Sequence, residues 1–100
     1  MKDVTLVQQV IREVSNNTGI SIEDITGGRR HGNIVRAKQM VMWVCQYYTR
    51  ATTTTIAQEL KLRNHATVLW GTKQIDNIIY FDKAFGLQMH EFAKNAVKNG

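Results

Sequence analysis

The apolar residues of this chain recur every three or four positions, and no proline interrupts them. Apolar groups at that spacing share one face only on an α-helix, and without proline the backbone ladder of such a helix stays whole. The pattern predicts an all-α fold. One hundred residues support one core, so a single compact multi-helix domain is expected over residues 1–100, with its body near 5–80 and a terminal helix near 82–98.

The helices can be placed from their faces and their caps. Leu6, Val7, Val10, Ile11 and Val14 make one stripe, so a first helix is expected over residues 5–17. Thr5 and Gln8 stand at capping-box spacing, and Gly19 supplies the stop. Ser21 caps a short second helix over residues 22–26, with Ile20 and Ile25 spaced as a hydrophobic staple and Gly27-Gly28 ending it. Residues 28–38, GRRHGNIVRAK, read as a basic loop running into the next helix. That helix, residues 34–48, is apolar on nearly every side and is expected at the centre of the core. Thr55 with Gln58 forms another capping box, which predicts a short helix over residues 56–60. A turn at 61–63 follows, and Asn64 caps a helix reaching about residue 79. A break near 80–82 releases a last helix with Phe85, Met89, Phe92 and Ala96 facing inward.

A short helix, a tight turn and a second helix with a polar start is the helix-turn-helix arrangement. Around the second helix, Val68, Leu69, Thr72, Ile75 and Ile79 are expected on the core side. Ala66, Thr67, Trp70, Lys73 and Gln74 fall opposite. The exposed start would then present Asn64, His65, Ala66 and Thr67, small or hydrogen-bonding groups able to meet base edges. The balance of charge agrees. Thirteen Lys and Arg against eight Asp and Glu give a pI of about 9.7, which attracts polyanions without specifying one. The expected function is sequence-specific binding of double-stranded DNA. Asn64, His65, Ala66 and Thr67 would meet bases, and Arg29, Arg30, Lys38, Arg50, Thr54, Thr55, Lys61, Arg63 and Lys73 would hold the backbone. The alternative is a protein-interaction module of a replication or mobile-element complex, its partner met by Trp70 or the C-terminal helix.

Two stretches carry a family resemblance. VRAKQMVMWV, residues 35–44, is similar to the basic-loop sequence V-A-R-P-R-Q-[IM]-A-M that leads into a long helix. IAQELKLRNHATVLWGTKQI, residues 56–75, resembles I-G-x-x-F-G-G-R-D-H-T-T-V-L-x-A-x-x-K-I without a gap. Both belong to the carboxy-terminal DNA-binding domain of the bacterial chromosomal replication initiator DnaA, whose fold is related to that of the Trp repressor. The resemblance implies that Arg36 holds the place of a minor-groove arginine and Lys38 that of the loop's second basic residue. Arg63, His65 and Thr67 match the start of the recognition helix. Four positions depart from the pattern. Asn64 replaces an aspartate that accepts from a base amino group, Ala66 a threonine, Lys61-Leu62 a pair of glycines, and Ala37 a proline. A role in origin recognition or its regulation is implied, with base preference of its own.

Other chemistry finds little support. His31, His65 and His90 lie far apart, and the single Cys45 reads as a buried small hydrophobe, so neither metal nor nucleophile is expected. No nucleotide-binding glycine-lysine motif is present, and Gly27-Gly28 reads as a helix stop. No enzyme activity and no cofactor are expected. No apolar run is long enough for a membrane span and no secretory signal is evident, which points to the cytoplasm. The Met1-Lys2-Asp3 start reads as that of a stand-alone protein. Trp43 is expected in the core. For Trp70, contact with DNA, packing on the last helix and a partner surface all stand open. The threonines at 52–55 read as capping groups that could also bind phosphate.

Overall fold

In the computed structural model, residues 2–98 are described, and Met1 and residues 99–100 of the expected domain lie outside them. The described residues form six helices and no strand: α1 (Lys2–Thr18), α2 (Ile22–Ile25), α3 (Gly32–Tyr48), α4 (Thr53–Glu59), α5 (Ala66–Phe81) and α6 (Lys83–Lys98). The order and number match the sequence-based expectation. α3 is the axis of the fold and touches each of the other five helices. Its run from Ala37 to Cys45 is buried throughout, as a helix apolar on nearly every side requires.

Trp43, only 1% exposed, organises the far end of that axis. Its indole Nε1 donates to Asp76 Oδ1 on α5 at 3.0 Å, and Tyr47 Oη donates to Asp76 Oδ2 at 2.7 Å. That bond, with burial and the carboxylate's charge behind it, raises the Tyr47 pKa above its usual value. The imidazole of His90 on α6 packs edge-on against Trp43 with ring centres 5.0 Å apart and meets the Tyr48 hydroxyl. One residue of α3 thus ties down both α5 and α6. Burial pushes the thiol of the neighbouring Cys45 up to about 12, which leaves it an inert filler rather than a nucleophile.

Several boundaries differ from the expectation. α1 starts at Lys2, so Thr5 lies inside the helix and not at its cap, while Gln8 Nε2 donates across to Glu59 Oε1 at 2.9 Å. Gly19 does close α1, with φ +77° and its N–H on Ser15 O. Ser21 caps α2 as expected, accepting from Asp24 N at 3.1 Å. α3 begins at Gly32, two residues early, which puts Arg36 and Lys38 on the helix and not in a loop; nothing in Ala37 blocks the helix as a proline would. α4 is capped by Thr52, which accepts from Thr55 N at 3.1 Å. Thr55 is therefore a first-turn residue, because four consecutive threonines offer the capping oxygen at more than one register. α5 runs on through Tyr80 to Phe81, and Asp82 alone breaks the chain before capping α6 by accepting from Phe85 N at 3.0 Å.

The expected inward position of Leu69 is wrong, since it stands 54% exposed. α5 buries Val68, Gly71, Thr72 and Ile75. A Cβ at Gly71 would overlap the Met42 sulfur of α3. The missing side chain lets α5 lie close on that flank, which turns Leu69, about 100° around from Val68, out of the contact. The absence of a side chain is harder to read as a packing surface than its presence.

Candidate nucleic-acid interface

The turn between α4 and α5 is built by backbone bonds that the sequence only partly announces. Lys61 N donates to Gln58 O at 3.1 Å and Leu62 N to Ala57 O at 2.8 Å. This paired closure is the Schellman motif, which needs a left-handed residue just past the helix. That residue is Lys61, with φ +57°, the one non-glycine in this region among the described residues. It stands where the resemblance places a glycine. A Cβ there costs about 1–2 kcal/mol. Lys61→Gly is therefore expected to raise unfolding stability in urea by about 0.5–1 kcal/mol, after the larger chain entropy of glycine is subtracted. Destabilisation instead would mean that the lysine stem packs on its surroundings.

The turn ends at the start of α5. Asn64 Oδ1 accepts from Ala66 N at 2.8 Å, and the Asn64 and His65 carbonyls accept from Thr67 N and Val68 N. Asn64 is thus the capping group foreseen from sequence, while the His65 side chain makes no cap. Asn64, His65, Ala66 and Thr67 are all exposed, as a reading surface requires.

Beside this start lies an open groove, floored by Val35, Gln39 and Met42 of α3 and walled by the 27–30 loop on one side and the 61–64 turn on the other. Its volume, about 680 Å³, falls within the range of small-molecule pockets, roughly 300–1,000 Å³. The chemistry of its wall differs from theirs. Arg29, Arg30, Lys38, Lys61 and Arg63 all border it, and among the described residues no carboxylate does. Such a trough concentrates positive potential and suits a polyanion.

Each expected site residue can now be located. Arg29, Arg30, Lys61 and Arg63 are exposed on the groove walls, together with Asn64 and Thr67. Arg29 has only a loose ion pair with Asp24, at 3.9 Å. Arg36 is exposed on α3 and does not line the groove itself, but its Nη1 donates to Gln39 Oε1 on the groove floor at 2.8 Å. Lys38 is largely buried, and its Nζ donates to the Gly27 carbonyl. Burial, and secondarily the nearby Arg30, lowers its pKa. Its ammonium therefore holds the 27–30 loop against α3. Arg50, Thr54 and Thr55 stand at the α3–α4 junction and Lys73 further along α5, all outside the groove lining. Trp70, 56% exposed, lines the groove beside Thr67. Gln39, Met42 and Gly71 shape the site and were not singled out from sequence. Only the closeness of α3 to α5 reveals them.

Among the described residues no cluster of three or more metal-ligating side chains occurs, and no helix is long and apolar enough to cross a membrane.

Residues 7–75 match the family described as the bacterial dnaA protein helix-turn-helix. The chain belongs to this family. It is 30% identical, over 79 residues, to the chromosomal replication initiator protein DnaA of Flavobacterium psychrophilum, covering 79% of this chain and 16% of that protein. The DnaA of Thermus thermophilus is 29% identical over 75% of this chain and 17% of its own length. That of Streptococcus uberis is 28% identical over 92% and 20%. The chain thus spans between 16% and 20% of the length of these curated relatives. In a crystal structure described as a DNA replication initiation factor, the same fold recurs with a TM-score of 0.87 at 21% identity, over 98% of this chain and 30% of that one. The matched residues take in α4, the Lys61 turn and most of α5.

Proposed function

We propose that this domain binds double-stranded DNA in a sequence-specific manner and serves replication origin recognition or its regulation. One observation carries the reading: a groove bordered, among the described residues, by five cations and no carboxylate opens directly onto the exposed start of the second helix of a helix-turn-helix. Membership of a family whose relatives are replication initiators supports the biological setting.

In this reading Asn64, His65, Ala66 and Thr67 enter the major groove and meet base edges. Arg29, Arg30, Lys61 and Arg63 pair with phosphates along one wall, and Lys73 continues the track. Arg50 with Thr54 and Thr55 at the start of α4 takes phosphates on the flank, where a guanidinium and hydroxyl groups meet an anion well. Lys38 acts indirectly, by holding the loop that carries Arg29 and Arg30. Arg36 reaches the neighbouring minor groove after leaving Gln39, and Arg36→Ala is expected to weaken binding by about 1–3 kcal/mol at fixed salt. Undiminished binding by that variant would remove Arg36 from the contact. The role is one of binding, and no residue is assigned to catalysis. A cytoplasmic site of action follows from it.

The test is a titration with random duplex and with a pool selected for binding, each at two salt concentrations. Affinity should fall steeply with salt and rise on selection. A second reading, docking of a protein partner on the C-terminal helix, draws on Leu87 of α6 and the adjoining Phe81 at the end of α5, which stand 76% and 85% exposed outside the groove lining. Absence of duplex binding at low salt would favour it.

A further inference from the structure

The cap at the start of α5 also decides what Asn64 can say to a base. Of the two ends of an asparagine amide only the oxygen can accept a backbone N–H, so the bond from Ala66 N to Asn64 Oδ1, at 2.8 Å, fixes which end turns inward. The oxygen faces back onto the helix. The exposed end is the Nδ2 amino group, which carries two donors and accepts nothing. The usual pairing of asparagine with adenine needs both ends of the amide, the oxygen on adenine N6 and the nitrogen on N7. Here the oxygen, held on the Ala66 N–H, is turned away from the groove.

We infer that Asn64 acts as a specificity-determining donor, selecting a base that presents a keto oxygen to the major groove, guanine through O6 and N7 or thymine through O4, and disfavouring adenine. The inference rests on the duplex-binding reading above and sharpens it to the polarity of one contact. His65 and Arg63 flank Asn64 and meet other positions of the site, so the neighbours on the helix side leave this polarity to Asn64. Ala66 next to it offers only a methyl group, and the Ala66 N–H is consumed by the cap. Thr67 stands further into the helix.

The substitution that inverts the contact without disturbing the fold is Asn64→Asp. Aspartate caps a helix as well as asparagine does, so one carboxylate oxygen keeps the Ala66 bond and the other becomes an outward acceptor. Guanine O6 and adenine N6 occupy the same place in the groove, as do thymine O4 and cytosine N4. The variant is therefore expected to change the preferred pair by a transition, guanine to adenine or thymine to cytosine on the contacted strand, at one position of the site.

The experiment is selection from a random duplex library with the wild-type chain and with Asn64→Asp, followed by competition between duplexes differing at that pair alone. The expected result is a single-position transition between the two selected sites, with each protein preferring its own pair by at least about fivefold. Identical selected sites, or a change elsewhere in the site, would overturn the inference while leaving duplex binding intact. If neither protein enriches any sequence over random duplex, the reading of base recognition fails first and takes this inference with it.

Discussion

Trp43→Ala is expected to lower unfolding stability by about 3–5 kcal/mol, the range for emptying a fully buried large aromatic site. The loss has three parts. The indole leaves a cavity where α3 packs on α5 and α6, Asp76 loses the Nε1 donor that ties α5 to α3, and His90 loses the ring against which α6 packs. A domain of this size has a total stability of only about 5–15 kcal/mol, so the loss takes a large share of it and should move the urea midpoint far down. Trp43→Phe separates the parts. It keeps most of the packing and gives up the hydrogen bond, for which about 1 kcal/mol is expected, since Asp76 retains Tyr47. Urea unfolding followed by circular dichroism reads both. A loss of less than about 2 kcal/mol in Trp43→Ala would mean that α5 and α6 are held elsewhere.

The largest effect on binding is expected from removing the groove's exposed guanidinium groups together. Each phosphate contact adds about 0.9 to the slope of log affinity against log salt. Arg29→Ala, Arg30→Ala and Arg63→Ala combined should therefore flatten that slope by roughly 2.7, which at about 0.1 M salt corresponds to a loss on the order of several hundredfold. The three side chains are exposed, and among the described residues their one ion pair is that of Arg29 with Asp24, at 3.9 Å, so the triple variant should fold normally. Preference among duplex sequences should survive in what binding remains, because phosphate contacts position the protein and base contacts specify. An unchanged salt slope would place the DNA on another face.

Much of this architecture was legible because helices announce themselves by period and by cap. The stripe from Leu6 to Val14, the Gly19 stop, the Ser21 cap and the apolar α3 each follow from side chains within one turn of one another. The helix-turn-helix was legible for the same reason, and its exposed start at Asn64 to Thr67 is a consequence of facing away from Val68 and Ile75. What escaped depends on distance in space. Lys38 looks like a free cation in sequence, yet the Gly27 carbonyl eleven residues back claims its ammonium. Leu69 looks like core until Gly71 brings α5 against Met42. The true cap of α4 escaped for a local reason, since Thr52 and Thr55 are chemically equivalent candidates and only the burial of Ile56, Ala57 and Leu60 chooses between registers.

The groove's role as the DNA interface is tested most directly by following the backbone amide resonances of the labelled domain as a selected duplex is added. The largest shifts are expected in the 27–30 loop, at Gln39 on the groove floor and from Arg63 through Thr67, with the outer face of α6 around Leu87 unmoved. Shifts centred on Phe81 and Leu87, with the loop and the start of α5 silent, would contradict it.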